Sequence, residues 1–308
     1  MRLLAALTVA TGVVFAAGCA TAARGSARPA AGAPAAPPAE QTAAPATAPG
    51  PEQAVKTSAP RTIEQQDPQL GAALKELAVL PTPERLRQVA ERYRTLGILD
   101  AAFEHYRRAT VLDARDGAAY EGLARVWRDW GFPDIALSAA HRAVFIAPDS
   151  ASVHNTLGTV LQALGQFENA AAEYEQASRL DPRAAYAVSN LCYLSFLDGR
   201  FEQAVATCRS ALAVDPAFLA ARNNLALAHA AAGQLDLART EFLDAGGGAQ
   251  ASFNMGIVYM AGRDYARAEA AFDDASNADP TMTIARVRAA DARRLAGIAA
   301  REAAGESK

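Results

Sequence analysis

A spacing of thirty-four residues recurs through most of this chain. The spacing is kept by glycine, by proline and by alanine, at Gly97, Gly131, Gly165, Gly199 and Gly233, at Pro148, Pro182 and Pro216, and at Ala102, Ala136, Ala170, Ala204 and Ala238. Three residue types that share one period define a repeated structural unit. The units are 83–116, 117–150, 151–184, 185–218, 219–248 and 249–282.

The third unit, 151–184, shows the repeated pattern most completely. Its defining residues are Leu157, Gly158, Leu161, Gly165, Phe167, Ala170, Tyr174, Ala177 and Pro182. This pattern resembles the tetratricopeptide repeat, a family whose unit is a pair of antiparallel helices. The resemblance implies an all-α fold, a right-handed superhelix or α-solenoid of about six stacked helical hairpins over residues 83–282.

The fifth unit departs from the pattern because it is four residues short. It ends in Gly246, Gly247 and Gly248, with no lysine after them that would suggest a phosphate-binding loop. We therefore predict a flexible connector at this point.

Both ends of the repeat region carry helix signals. Asp67 and Thr82 each precede a proline, which is the sequence of a helix cap followed by a first-turn proline. A capping helix is therefore predicted within 61–82, before the first unit at 83.

The last segment, 283–308, is predicted to form a C-terminal capping helix and a tail. Val287, Leu295 and Ile298 are expected to pack against the last unit, and the arginines to face solvent, because terminal repeats need a polar cover. A weak contact of these arginines with anionic lipid or a cell-wall acid is the alternative.

The first eighteen residues are typical of a signal peptide. Arg2 precedes an apolar run over 3–17, which is shorter than the roughly 20 residues that span a bilayer. The small residues ahead of Cys19 resemble the lipobox of bacterial lipoproteins. The resemblance implies a lipid such as palmitate on Cys19 and a place on the periplasmic face of the outer membrane. Ordinary secretory cleavage, which would give a soluble periplasmic protein, is the alternative.

Residues 19–60 form a linker that is rich in alanine and proline. Between residues 20 and 60 there are sixteen alanines and eight prolines in forty-one positions, and Val55 is the one member of the Leu, Ile, Val and Phe set. Such a segment buries too little apolar surface to offset the entropy of ordering, so disorder is predicted.

The chain shows no sign of catalytic chemistry. Its net charge of −3 does not indicate nucleic-acid binding, and it contains no phosphate-binding loop, dinucleotide fingerprint or nucleophile elbow. The four histidines are not spaced for a shared metal. We predict no catalytic residues, metal, cofactor or small-molecule substrate. An enzyme with an unrecognised site is the remaining alternative.

Two cysteines fall at matching positions of the fourth unit. Cys192 and Cys208 occupy positions eight and twenty-four, at equal distances from the turn between two antiparallel helices. In an oxidising compartment they could form a disulfide if their Cα atoms come within about 7 Å. Two buried thiols are the alternative.

The family resemblance implies that partners contact positions two, five, nine and twelve of each first helix. These positions are charged in the first two units and become polar and then apolar towards the last. The predicted partner-binding groove consists of Asn155, Thr159, Tyr186, Ser189, Tyr193, Phe196, Asn223, Leu227, Phe253, Ile257 and Met260. The alternatives for its apolar end are coverage by the C-terminal helix of the same chain and a homodimer contact.

The functional expectation is a lipid-anchored scaffold that binds a protein or peptide partner in the groove. It resembles repeat lipoproteins of pilus assembly, of the pilotin-like and Tad types, which implies a role in pilus or secretion machinery. The membrane is expected to be contacted through the lipid anchor alone. An adaptor that recruits or regulates cell-wall hydrolases is the second functional hypothesis.

Overall fold

The computed structural model describes residue 63 and residues 67–305, with side chains placed up to residue 302. This part of the chain is helical, and no strand occurs in it. The predicted signal peptide and linker lie outside it. Its helices are α1 (Pro68–Val79), α2 (Pro83–Thr95), α3 (Leu99–Leu112), α4 (Gly117–Asp129), α5 (Pro133–Ile146), α6 (Ala151–Ala163), α7 (Phe167–Leu180), α8 (Ala185–Leu197), α9 (Phe201–Val214), α10 (Leu219–Ala231), α11 (Leu235–Ala261), α12 (Tyr265–Ala278) and α13 (Thr283–Gly305).

The helices form consecutive hairpins, and the predicted all-α solenoid is confirmed. Contacts run mainly between helices that are adjacent or next but one in sequence. The first helices of neighbouring units, such as α4 and α6 or α8 and α10, also touch each other along one side of the stack. We call this side the first-helix face.

Each hairpin turns at the glycine of the repeat. In the third unit, Gly165 has a φ of 74°. The N–H of Gly165 donates to the carbonyl of Gln162 over 3.0 Å, and the N–H of Gln166 donates to the carbonyl of Leu161 over 2.9 Å. A left-handed residue that closes a helix in this way is favourable for glycine, which has no Cβ to clash.

The sixth unit breaks this rule at its turn. Its glycine, Gly262, lies one position early, and the left-handed position is taken by Arg263 with a φ of 59°. A residue with a Cβ is strained in this region by about 1–2 kcal/mol. The hairpin still forms, because the packing of α11 on α12 determines the turn.

Small residues let the two helices of a hairpin approach closely. The alanines that open the second helices are fully buried, and they are Ala102, Ala136, Ala170, Ala204, Ala238 and Ala268. The period of thirty-four therefore marks the positions where two backbones meet, while aromatic side chains such as Tyr174 and Phe242 fill the remaining space.

The short fifth unit is joined to the sixth without a loop. α11 contains the second helix of the fifth unit and the first helix of the sixth, and these meet at Gly247, whose φ is 73° and ψ is −177°. The structure therefore has a one-residue joint where the sequence predicted a flexible connector. Four missing residues remove the loop, and the glycine supplies the change in chain direction.

The N-terminal end of the solenoid is closed by α1. Asp67 caps this helix by accepting a hydrogen bond from the N–H of Leu70 over 2.9 Å, and it also pairs with Arg92 of α2. Thr82 caps α2 through the N–H of Arg85 over 3.3 Å. Both caps lie where the proline signals placed them.

The C-terminal helix α13 packs differently from the prediction. Val287 and Ile298 are 57% and 37% exposed, and Leu295 is half-buried. The residues that pack against α12 are alanines, Ala285, Ala289 and Ala292. The prediction was wrong because two helices at close approach need small side chains at their contact, not large ones.

Candidate functional site

Polar side chains link neighbouring first helices along the first-helix face. Three side-chain hydrogen bonds each span thirty-five residues, from position five of one unit to position six of the next. They run from Thr156 to Glu121 (2.9 Å), from Asn190 to Asn155 (2.8 Å) and from Asn224 to Ser189 (3.1 Å). We call this row the polar ladder.

Two side chains of the polar ladder have hydrogen-bonding atoms that the ladder itself does not use. The bond between Asn190 and Asn155 uses one amide N–H of Asn190 and the carbonyl of Asn155. The other atoms of the two amides, a donor on Asn155 and an acceptor on Asn190, are the groups that pair with a peptide backbone. Both residues are half-buried, so these groups are accessible from one side.

The polar ladder stops at the joint between the fifth and sixth units. Asn223 and Asn254 hold positions five and six there, but they are thirty-one residues apart. The Oδ1 of Asn254 accepts from Gln250 over 2.9 Å, and the Oδ1 of Asn223 is buried without a partner among the described residues. The shortened unit has shifted the two amides out of register.

A cleft of about 610 Å³ opens on the first-helix face of the first three units. It is lined by α2, α3, α4 and α6, through Glu84, Arg87, Gln88, Glu91, Arg92, Thr95, Tyr106, Ala118, Glu121, Gly122, Arg125 and Ser152. Three carboxylates and three guanidinium groups are among these residues, so the charge of the lining is balanced. We call this the N-terminal cleft.

Most charges of the N-terminal cleft are paired with side chains in or beside it. Arg94, beside the cleft, bridges Glu91 of its own helix (2.6 Å) and Asp129 of α4 (2.8 Å). Arg87 lies 2.9 Å from Asp116, the cap of α4. These pairs hold the first two units together through their first helices.

Arg125 connects the N-terminal cleft to the polar ladder. It pairs with Glu121 and donates to Ser152 over 3.1 Å and to Thr156 over 3.2 Å. Arg125 is half-buried, which leaves one edge of its guanidinium group towards the cleft. The cleft and the polar ladder are therefore one continuous polar surface.

A buried tyrosine fixes one carboxylate of the cleft. The hydroxyl of Tyr106 donates to Glu91 over 2.7 Å. Burial raises the pKa of Glu91, but hydrogen bonds from Arg94 and Tyr106 outweigh it and hold that pKa below its ordinary value. Burial and the nearby charge of Glu91 raise the pKa of Tyr106. Near neutral pH the carboxylate is ionised and the phenol is neutral.

The structure divides the predicted groove residues into two groups. The partly exposed ones are Asn155, Thr159, Tyr186, Tyr193, Asn223 and Met260. The buried ones are Ser189, Phe196, Leu227, Phe253 and Ile257, each at most 5% exposed. The buried group cannot present an apolar surface to a partner, and this part of the predicted groove is corrected to core.

The apolar end of the predicted groove is covered by the same chain. Phe196, Leu227, Phe253 and Ile257 belong to a core cluster that also contains the buried alanines of α13. The rings of Phe253 and Phe272 lie 5.4 Å apart. Phe253 thus packs on the second helix of its own unit, and Phe196, Leu227 and Ile257 at positions nine and twelve are buried in the same cluster.

Cys192 and Cys208 are joined by a disulfide between α8 and α9, with Cα atoms 5.2 Å apart. Both residues are fully buried. The same two positions hold Gly256 and Phe272 in the sixth unit, where the glycine lies against the ring. The disulfide thus takes the place of a packing contact and links the two helices of the fourth unit covalently.

No cluster of side chains that could bind a metal ion occurs in the described part of the chain. His154 is buried and contacts Glu173 (2.6 Å) through one ring nitrogen and the carbonyl of Pro148 (2.8 Å) through the other. His154 is therefore a packed side chain between two units, and both of its ring nitrogens make structural contacts.

Position six of the repeat was not among the site residues predicted from the sequence. In the third to sixth units it is held by Thr156, Asn190, Asn224 and Asn254. A column of hydrogen-bonding residues on otherwise apolar helices could have been found from the period alone. Its partners could not, because the thirty-five-residue offset depends on how neighbouring first helices pack.

Among the described residues, no helix combines the length and the apolar character that a transmembrane span requires.

Comparison with known proteins supports the fold. Residues 155–217 and 198–252 match the family model of the tetratricopeptide repeat. No curated protein sequence matches the chain at a significant level.

Solved structures with the same architecture include three repeat proteins. A chain of the Cut9–Hcn1 hetero-tetramer of the APC/C has a TM-score of 0.61 at 17% identity, over 73% of this chain and 46% of that one. PilW, a type IV pilus biogenesis factor, has a TM-score of 0.55 at 23% identity, over 64% and 94%. A thermophilic tetratricopeptide repeat protein of Thermus thermophilus has a TM-score of 0.50 at 23% identity, over 68% and 98%.

These identities are low, so the structural likeness concerns the fold alone. The fold agrees with the family model and with the period of thirty-four residues in the sequence. Residues 155–252 match the tetratricopeptide repeat family, and the described part of the chain has the fold of that family.

Proposed function

We propose that the protein is a lipid-anchored scaffold of the bacterial envelope that binds an extended segment of a partner protein on its first-helix face. Tetratricopeptide repeat domains are scaffolds for protein–protein interaction. The observation that supports this assignment is the continuous polar surface formed by the N-terminal cleft and the polar ladder. It extends over the first five units.

The polar ladder suits a peptide backbone. An extended chain presents a donor and an acceptor at every residue, and each must be paired when it is buried. The unused amide groups of Asn155 and Asn190 offer both kinds of partner. Thr159 and Tyr186, which are half-buried nearby, give the partner side chains a surface to contact.

The N-terminal cleft suits a segment that carries both signs of charge. Most of its carboxylates and guanidinium groups are already paired, so a ligand of a single sign would have to break these pairs. A segment with neighbouring acidic and basic side chains can extend the network instead. Charge pairing of this kind contributes to specificity more than to affinity.

The protein acts by binding rather than by catalysis in this proposal. A general acid at neutral pH needs a carboxyl group whose pKa is raised. The pKa of Glu91 is lowered, because its hydrogen bonds to Arg94 and Tyr106 outweigh burial. Glu91 therefore serves as a fixed anion that orders the cleft.

The proposed anchor is Cys19, at the start of a long linker. A lipid on this cysteine would tether the domain to the periplasmic face of the outer membrane and raise its effective concentration there. Fractionation of cells that express Cys19→Ser tests this step. Release of the variant from membranes supports the anchor. Retention contradicts it, and a soluble wild-type protein would indicate the periplasmic alternative.

Pilus or secretion machinery is the proposed setting. PilW, which shares the fold, is a type IV pilus biogenesis factor. An adaptor for cell-wall hydrolases is the second candidate, since the same tether would hold such enzymes at the envelope.

Site-specific photo-crosslinking distinguishes the two settings. A photoreactive amino acid at Thr159 reports on the first-helix face, and the same group at Arg209, exposed on the second helix α9, is the matched control. Crosslinks to pilus or secretin subunits from Thr159 alone support the first setting, and crosslinks to peptidoglycan enzymes support the second. Equal crosslinking from both positions would contradict binding on the first-helix face.

A further inference from the structure

The C-terminal helix α13 exposes a ridge of arginines beside the face that packs on α12. Arg286, Arg293, Arg294 and Arg301 are all exposed, and their spacing places them on one side of the helix. The buried alanines of α13 lie on the other side. The ridge therefore lies on the solvent-exposed side of α13, with Arg293 at the edge nearest to α12.

Two arginines of the ridge have no carboxylate partner among the described side chains. Within the described part of the chain, Arg286 and Arg301 contact the carbonyl oxygens of Pro280 (3.4 Å) and Gly297 (3.0 Å). Their charges are therefore not neutralised by the described carboxylates.

The other two arginines are paired. Arg293 contacts Glu269 (2.6 Å) and Asp273 (3.8 Å) of α12. Arg294 contacts Asp291 (3.4 Å) of its own helix. These pairs are exposed, so they are weak and can rearrange when another anion approaches.

Apolar side chains flank the ridge on one side. Ile284, Val287 and Ile298 are 48%, 57% and 37% exposed, and their spacing places them along one stripe of α13. A helix with a basic face beside an exposed apolar stripe is the arrangement that binds at the interface of an anionic bilayer. An acidic protein surface would explain the arginines but not the apolar stripe.

We propose that α13 docks on an anionic lipid surface, as a second membrane contact besides the lipid on Cys19. The ridge meets the headgroups, while the stripe of Ile284, Val287 and Ile298 enters the interface. Segment 283–308 carries six basic and three acidic residues, although the chain as a whole has a net charge of −3. The attraction is therefore local to this end of the molecule. The inference rests on the proposed function only for the presence of a membrane nearby.

The test uses the mature chain, residues 19–308, with Cys19→Ser, which keeps every described residue and removes the lipid. It is mixed with vesicles of equal parts phosphatidylglycerol and phosphatidylcholine, or of phosphatidylcholine alone, and bound protein is measured by sedimentation. We expect binding to the anionic vesicles only, and a marked loss of binding between about 0.1 and 0.5 M salt, because salt screens exposed charges.

Two charge-reversal pairs locate the contact. Arg286→Glu with Arg301→Glu should weaken binding by at least about thirtyfold, since each basic residue near such a surface contributes about fivefold. Arg209→Glu with Arg239→Glu is the matched control, because both residues are exposed on second helices and the net charge changes equally. The control should bind as the parent does.

Three results would overturn the proposal. They are absence of binding to anionic vesicles, equal binding to neutral ones, and equal loss of binding in both charge-reversal pairs. Circular dichroism of each variant checks that the helices remain. Because the chain tested has no lipid, failure here leaves the anchor on Cys19 untouched, and the fractionation of Cys19→Ser cells leaves this surface untouched.

Discussion

Gly158 lies so close to the ring of Tyr174 that a Cβ at residue 158 would come within 2.6 Å of it. The two residues belong to the two helices of the third unit, and Tyr174 is fully buried. The close approach of α6 and α7 therefore depends on the missing side chain.

Replacement of Gly158 by alanine should destabilise the protein. The ring of Tyr174 is enclosed and cannot move aside freely, so we expect a loss of about 1–3 kcal/mol in the free energy of unfolding. Gly297→Ala is the control, because a Cβ there first meets a flexible arginine end at 4.0 Å. It should leave stability unchanged or raise it by up to about 1 kcal/mol. Urea denaturation measures both, and equal effects would contradict the steric explanation.

The disulfide between Cys192 and Cys208 should contribute measurably to stability. It closes a loop with a sequence separation of 16 residues, for which the expected contribution is about 3 kcal/mol. Denaturation with and without a reducing agent should show this loss for the wild type. The double variant Cys192→Ala with Cys208→Ala should already be less stable and should not respond to the reducing agent. A wild type that does not respond would contradict the prediction.

Phe253 should matter for stability and not for partner binding. It is 5% exposed and packs on Phe272, so Phe253→Ala is expected to cost about 3–5 kcal/mol. Met260→Ala, at a half-buried position of the same helix, should cost less. Thermal denaturation compares them. A stable Phe253→Ala protein would contradict the assignment of this residue to the core.

These substitutions show what the sequence could predict. The period of thirty-four residues predicted the hairpins, their turns and the proximity of positions eight and twenty-four, because these features lie within one unit. The exposure of a side chain on the first-helix face depends on contacts between units. Phe253 and Ile257 were expected on the surface because the repeat position is on that side, but both are buried in a cluster that includes Phe272 and the alanines of α13.

The register of the sixth unit could not be predicted from the sequence either. Four residues are missing from the fifth unit, and the chain could have kept the spacing of the helices by straightening the connection. Instead, Gly247 makes the whole turn in one residue, and Asn223 loses the partner that the polar ladder would otherwise supply.

Arg263 offers a stabilising substitution. It holds the left-handed position of its turn, with a φ of 59°. Arg263→Gly should relieve the strain of about 1–2 kcal/mol and lose about half of this gain to the greater freedom of glycine in the unfolded chain. We expect a net gain of about 0.5–1 kcal/mol in urea denaturation. Gly165→Ala is the converse test, since its Cβ would meet no neighbour within 4 Å and any loss is due to the backbone.

His105 should make stability depend on pH. Both of its ring nitrogens are buried without partners among the described residues, and its ring meets Tyr93 edge to face at 5.5 Å. Burial and then the charge of Arg108 lower the pKa of His105, and Glu104 opposes this in part. The unfolded chain therefore binds the proton more readily, with a pKa of about 6.5.

The stability that His105 contributes is thus present above pH of about 6.5 and is lost as the pH falls through the lower pKa of the folded state. His105→Phe should flatten this part of the curve of unfolding free energy against pH. His141→Gln, at an exposed position, is the control and should keep the wild-type curve. An unchanged slope in His105→Phe would show that other groups cause the dependence.

The helices of this protein contact mainly their neighbours in sequence. A molecule assembled from such short-range contacts has a low contact order, so the first hairpins can pack while the last ones are still being synthesised. A chain of this kind does not have to wait for its C-terminus in order to bury apolar surface. The arginine-bearing end then arrives last, on a domain that is already folded.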